Sequence, residues 1–201
     1  MEIEVEITGH TPLMLCRFTE EEQLKASGGS SAAATASDRG TPLQQADNRL
    51  YRGTRGQLII TSPMMLKCIV EGGSFHKAGK TKITTQKASL IYACVQIPQS
   101  EIDIIYKEPW TVDTRPVRIP ATGGRILCHR PMFNDWQLRF TLELDTKIMN
   151  AKLLRLIVDD AGTRCGLGAF RPNCKGPYGV FKVTNWEEIE DKIHVPLKAA
   201  E

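Results

Sequence analysis

An α+β fold, an antiparallel sheet with two helices against one face, is what this sequence predicts, on three observations. Glu2–Thr8 and Trp136–Leu144 alternate apolar and polar residues at the strand period. Asn150–Ala161 repeats its apolar residues at the helical period. Strand and helix signals then follow one another as strand, helix, strand, strand, helix, strand, which is the ferredoxin-like (RNA-recognition-motif-like) βαββαβ order. A length of 201 residues with 41% hydrophobic and 24% charged side chains is that of one folded domain over 1–201, and excludes a disordered, collagen-like or coiled-coil chain.

The first strand is Glu2–Thr8, with Ile3, Val5 and Ile7 on one face and Glu2, Glu4 and Glu6 on the other. After Gly9–Pro12 comes an apolar patch, Leu13–Cys16. Residues 25–46 follow, so rich in Ser, Ala and Gly that they predict a mobile insertion. Gln57–Thr61 is a short apolar strand. Ser62 as N-cap and Pro63 as first helical residue then open a helix that Gly72-Gly73 closes. Residues 74–110 are predicted as a second insertion, a basic loop and an extra hairpin of Leu90–Ile97 with Glu101–Tyr106, joined by Pro98-Gln99-Ser100. Several short strands therefore compete for the second core position. Arg125–His129 precedes Trp136–Leu144, the clearest strand of the chain. Asn150 caps a helix whose face is Leu153, Leu154, Ile157, Val158 and Ala161, and Gly162 ends it. A glycine-rich loop, Gly166–Gly179, leads into the last strand, Val180–Trp186, and an acidic tail.

The net charge of +3 hides a segregation. Asp47–Lys87 carries eight basic and two acidic residues, Thr111–Arg139 five and two, and Gly162–Lys182 four and none, so these windows hold +13 against −10 elsewhere. Such a pattern suits a body with a local polyanion-binding surface. No run reaches the roughly 18 apolar residues of a membrane helix, and Met1-Glu2-Ile3-Glu4 lacks the features of a signal peptide, so a soluble cytoplasmic protein is expected. The six cysteines form no CxxC pair; reduced structural thiols are expected, with no metal and no cofactor.

Three segments carry candidate chemistry. Ser74–Thr81 (SFHKAGKT) imitates a nucleotide-binding loop but has Ser where the first glycine belongs and follows a helix, not a strand. Its lysines Lys77, Lys80 and Lys82 remain candidates for a phosphodiester backbone. The loop Gly166-Leu-Gly168-Ala-Phe-Arg171-Pro-Asn-Cys-Lys175-Gly176-Pro-Tyr178-Gly179 combines glycines that admit a ligand to bare amides, two cations and a stacking ring. A tight connector whose glycines serve turn geometry is the alternative. In Thr111–Arg130, prolines and glycines are expected to keep Arg115, Arg118, Arg125 and Arg130 out of regular structure and on the surface. For catalysis His10, His76, His129 and Asp159-Asp160 are available, but nothing in the sequence pairs them.

On these segments the chain resembles the RAMP superfamily of CRISPR-associated proteins. The likeness rests on GLGAFRPNCKGPYG, on Ile7–Leu13, Tyr51–Val70 and the run from Arg115 to Trp136. It is nearest to the backbone subunit of Cascade-type effectors and the small stand-alone relatives carried by phages. The resemblance implies an RRM-like core and a protein that polymerises along guide RNA through phosphate and sugar contacts. It implies loop contacts at Gly166, Gly168, Arg171, Lys175, Gly176 and Gly179, and phosphate contacts at Arg52, Arg55, Lys67, Lys77, Lys80 and Lys82. Arg17, His76, Arg115, Arg118, Arg125 and Tyr178 complete the candidate set. The expectation is a non-catalytic protein that binds single-stranded nucleic acid, RNA by family analogy, with copies of itself and other effector subunits as partners. The alternatives are a RAMP-type endoribonuclease using His10 or His129, and a phage interaction module acting on a host system.

Overall fold

The computed structural model describes residues 1–18, 40–118 and 123–189. Its main sheet is built from β1 (Glu2–Gly9), β3 (Ile59–Thr61), β6 (Val95–Gln96), β7 (Glu101–Tyr106), β10 (Trp136–Leu144) and β11 (Phe181–Ile189). The strand order is β11-β1-β10-β7-β3, with β6 on the far end of β10. Every pairing is antiparallel. The register follows the alternation: Ile3, Val5 and Ile7 lie opposite Leu142, Phe140 and Leu138, and all six are buried.

Two helices cover that apolar face, α2 (Ser62–Gly72) and α3 (Ala151–Asp160). Asn150 caps α3, its side chain accepting from the Leu153 amide at 2.8 Å, and Leu154, Ile157 and Val158 are buried beneath it. Each such side chain stabilises the fold by about 1.5–3 kcal/mol. α2 begins one residue earlier than the sequence suggests, with Thr61 at the N-cap and Pro63 in the first turn.

A second sheet, β2 (Leu13–Met14), β9 (Arg125–Phe133) and β8 (Thr111–Arg118), stands beside the first. Its β8–β9 hairpin corrects the expectation that Thr111–Arg130 is irregular: eight residue pairs run from Thr111↔Met132 to Arg118↔Arg125. Pro116 is tolerated because β8 is an edge strand, where no ladder hydrogen bond is lost.

The extra hairpin predicted within 74–110 does not form. Ile91–Cys94 is a helical turn, and Glu101–Tyr106 lies inside the main sheet between β10 and β3, filling the contested second core position. The apolar residues Ile91, Cys94 and Val95, buried while Tyr92 and Ala93 are exposed, follow helical spacing over that one turn. The basic loop is a tight hairpin, β4 (Lys77–Ala78) on β5 (Thr81–Lys82), reversed at Gly79 with φ +61°. Of the predicted mobile insertion, residues 25–39 lie outside the described residues. Pro42–Asp47 is instead a helix, α1, closed by a capping box between Thr41 and Gln44. Gly162 does not end α3; it sits within a π-turn, Ala161–Cys165, where a Cβ would lie 2.5 Å from the Phe181 carbonyl, and the chain reverses at Gly166.

Candidate nucleic-acid interface

The two faces of the main sheet carry opposite chemistry. Away from the helices it presents Glu2, Glu4, Glu6, Asp103, Glu143 and Glu187 against Arg139 and Lys182. Arg139 is held by Glu6 at 2.8 Å and Arg55 by Asp103 at 2.9 Å. None of these side chains is aromatic, so the face offers a nucleic-acid strand neither stacking rings nor net positive charge.

The other cationic segments meet where the glycine loop (166–179) lies against α2 and the β8–β9 hairpin. Arg171 is the joint with α2. Its Nη2 donates to both carboxylate oxygens of Glu71 at 2.9 and 3.1 Å and its Nη1 to the Gly168 carbonyl at 3.1 Å, and each partner's side chain is only 18% exposed. Burial works against the guanidinium's charge, but Glu71 outweighs it and the Arg171 pKa is raised. Arg171 therefore clamps the glycine loop to α2, its guanidinium engaged within the protein.

Tyr178 and Arg115 form the joint with the hairpin. Arg115 donates to the Tyr178 hydroxyl and lies 4.9 Å from that ring's centroid and 5.7 Å from that of Phe170. Its Nε is 2.9 Å from both oxygens of Asp113, and that hydrogen bonding is the main cause of its raised pKa, with burial working against it. The Tyr178 ring is thus occupied within the protein.

The loop's glycines serve its own closure. A Cβ at Gly176 would lie 1.9 Å from the Phe170 carbonyl oxygen, and one at Gly179, where φ is +69°, 1.8 Å from that of Leu167. The amides of Leu167, Ala169, Gly176, Tyr178 and Gly179 donate to Gly179, Met14, Arg171, Phe170 and Pro12. The expected cradle of bare amides is corrected on this point: these donors are satisfied internally.

What projects outward is a set of cations. Lys67, Lys77, Lys80, Lys82, Lys175, Arg118 and Arg125 are exposed, and none of them forms an ion pair among the described residues. Lys175 sits at the loop tip with φ +61°. Lys67 lines a cleft of about 170 Å³ with Met64, Cys68, Gly166, Leu167, Gly168 and Arg171. Arg118 and Arg125 face each other across the hairpin, a like-charge pair that opposes folding unless an anion lies against it.

The remaining candidates stand apart. Arg52 is bound to Asp47 at 2.7 Å, and Arg55 lies with Asp103 on the acidic side. The Arg17 amide donates to the Arg49 carbonyl. His76 Nε2 is 2.9 Å from Asp160, which also holds Arg164 at 2.9 Å, so His76 anchors the short basic hairpin to the end of α3. His129 is buried, its Nδ1 2.8 Å from the Thr114 hydroxyl, and His10 is exposed.

The fold has a solved counterpart. A chain of the cryo-EM structure of the Type III-B Cmr-beta bound to cognate target RNA matches it with a TM-score of 0.55 at 12% identity, over 92% of this chain and 59% of that one. This chain thus spans well under two thirds of that neighbour, and the likeness is one of fold. A chain of the Type IV-B CRISPR complex matches at 11% identity with a TM-score of 0.46, over 98% of this chain and 96% of that one. No protein-family model and no curated protein sequence matches the chain.

Two residues that shape the site, and a third that lies beyond it, carry no signal in the sequence. Glu71 lies 100 positions from Arg171, so no local spacing announces the clamp. Phe170 holds φ +51°, which nothing about a phenylalanine suggests. Arg49, whose Nη1 donates to the Cys16 sulfur at 3.1 Å, is one more arginine of a basic window until the fold brings it there.

Proposed function

We propose that this protein is a RAMP-type subunit that binds single-stranded RNA, assembles side by side with further copies along the strand, and holds it without cutting it. Its setting is a cytoplasmic RNA-guided CRISPR effector, or a phage-encoded relative of one, with other effector subunits as neighbours. The order β11-β1-β10-β7 with two helices on one face supports reading the core as ferredoxin-like, with β3 added at the edge. RNA is favoured over DNA because the neighbour of similar fold belongs to a complex bound to target RNA.

The observation that carries the proposal is the contrast between an acidic sheet face and the exposed cations of loop, helix and hairpins, above all the opposed pair Arg118 and Arg125. Cations of this kind engage phosphates, so affinity is dominated by charge and sequence preference is weak. The test is fluorescence anisotropy with labelled single-stranded RNA and DNA of mixed sequence over a range of salt. In the Arg118→Gln/Arg125→Gln variant the slope of log K against log salt falls by about 1.4, at about 0.7 for each phosphate no longer neutralised. Wild-type binding that ignores salt, or a variant indistinguishable from wild type, refutes the assignment. RNA recovered shortened, with cleavage abolished by His10→Ala or His129→Ala, overturns the non-catalytic part.

A further inference from the structure

Cys16 and Cys128 are 112 residues apart in sequence, yet the second sheet brings them side by side, near enough for the Cys128 thiol to hydrogen-bond to Cys16. The pairing of Leu13 with Phe133 and Met14 with Met132 continues through the Leu15 amide, which donates to the Pro131 carbonyl at 3.1 Å. That register carries Cys16 alongside Arg130, and Cys128 lies two residues farther along β9 on the same face. Arg49 Nη1 donates to the Cys16 sulfur at 3.1 Å. Arg130 adds a second positive charge, and the Tyr51 phenol lies close enough for its own ionisation to be opposed by a charge on Cys16.

Three of these neighbours favour the anionic form of Cys16. The Cys128 thiol donates to it, and Arg49 and Arg130 attract it, against a burial that opposes charge; the balance pulls Cys16 down to about 5. The same hydrogen bond, with burial, pushes Cys128 up, so it keeps its proton. Both residues are only half-buried, within reach of a small oxidant. The other cysteines offer no such arrangement. Cys68 donates to the Gly166 carbonyl at 3.2 Å, deep beneath α2, and Cys174 is exposed on the glycine loop.

We propose that Cys16 and Cys128 are a peroxide-oxidisable dithiol, Cys16 the attacking sulfur and Cys128 the resolving one. The Cys16 thiolate attacks one oxygen of hydrogen peroxide: an S–O bond forms, the O–O bond breaks, and hydroxide leaves to become water with a proton from solvent. Cys128 then gives up its proton and attacks the sulfenic sulfur of Cys16, forming the S–S bond and breaking the S–O bond, with a second water leaving. Two electrons pass from the sulfur pair to peroxide. The product is a covalent staple between the segment after β2 and the middle of β9, and it removes the negative charge that faces Arg49 and Arg130.

The test is brief exposure of the full-length protein to hydrogen peroxide near pH 6, followed by thiol counting, intact mass and peptide mapping under non-reducing conditions. Held as a thiolate at that pH by its neighbours, Cys16 is expected to react at least about tenfold faster than exposed Cys174. Two thiols and the mass of two hydrogens are lost, and one peptide pair joins Cys16 to Cys128. In Cys128→Ser the reaction stops at a sulfenic acid on Cys16, trapped as its dimedone adduct; in Cys16→Ser, Cys128 stays reduced. Circular dichroism establishes that each variant is folded, and if one is not, the wild-type peptide map decides alone. Oxidation of Cys174 ahead of Cys16, a disulfide between molecules, or over-oxidation of Cys16 with no link to Cys128 overturns the proposal.

Discussion

The clamp between Arg171 and Glu71 separates two roles that the sequence could not distinguish, because a strand-binding arginine and a loop-anchoring one respond differently to substitution. Replacing Arg171 with Met keeps the aliphatic stem but leaves the Glu71 carboxylate without the guanidinium that satisfies both its oxygens. Stranding one member of a fully buried pair costs about 3–5 kcal/mol. With 18% of each side chain still reaching water, the expected loss here is about 2–3 kcal/mol. For a chain of this size each kcal/mol moves the melting temperature by about 2–4 °C, so Arg171→Met lowers it by roughly 4–12 °C. Glu71→Gln is expected to destabilise comparably. The double variant loses less than the sum of the two, with a coupling of at least about 1 kcal/mol in a thermal or urea cycle. At a salt concentration where both proteins are folded, RNA affinity per folded molecule changes little in Arg171→Met and falls in Lys175→Ala. An Arg171→Met protein with unaltered melting temperature and abolished RNA binding would refute the reasoning outright.

Other expectations follow from the same geometry. Gly179→Ala forces φ +69° on a residue with a Cβ and drives that atom to 1.8 Å from the Leu167 carbonyl oxygen. Strain alone is worth about 1–2 kcal/mol, and the clash opens the loop, so limited proteolysis should cut within 166–179 faster than in wild type; an unchanged digestion pattern contradicts this. Asn150→Ala removes the cap on the Leu153 amide and costs about 1 kcal/mol, read as a fall of about 2–4 °C in thermal circular dichroism. Glu4→Lys reverses a charge on the acidic sheet face. If the strand runs on the loop and hairpin side, screening over about 8–10 Å leaves its affinity within about twofold, whereas a tenfold gain would place the strand across the sheet.

How much was legible in the sequence depends on how local the determining interactions are. Trp136–Leu144 needed only alternation, and α3 only its cap and its 3.6-residue stripe, since each is specified by neighbours along the chain. Leu90–Ile97 misled because one helical turn followed by two strand residues is too short for either period to declare itself. Thr111–Arg130 misled because prolines and glycines read as irregular until an edge strand gives Pro116 a place where its missing N–H does not matter.

The site divides along the same line. The order of residues by itself determined that this is an α+β protein with its positive charge gathered into three segments, because strand and helix periods and local charge counts are sums over near neighbours. Only the tertiary structure decided which cations are held by partners inside the protein, as Arg171 is by Glu71 and Arg115 by Asp113 and Tyr178, and which are left to the solvent, as Arg118, Arg125 and Lys175 are. A side chain's charge belongs to its residue, but its availability depends on what the fold sets against it from a hundred residues away.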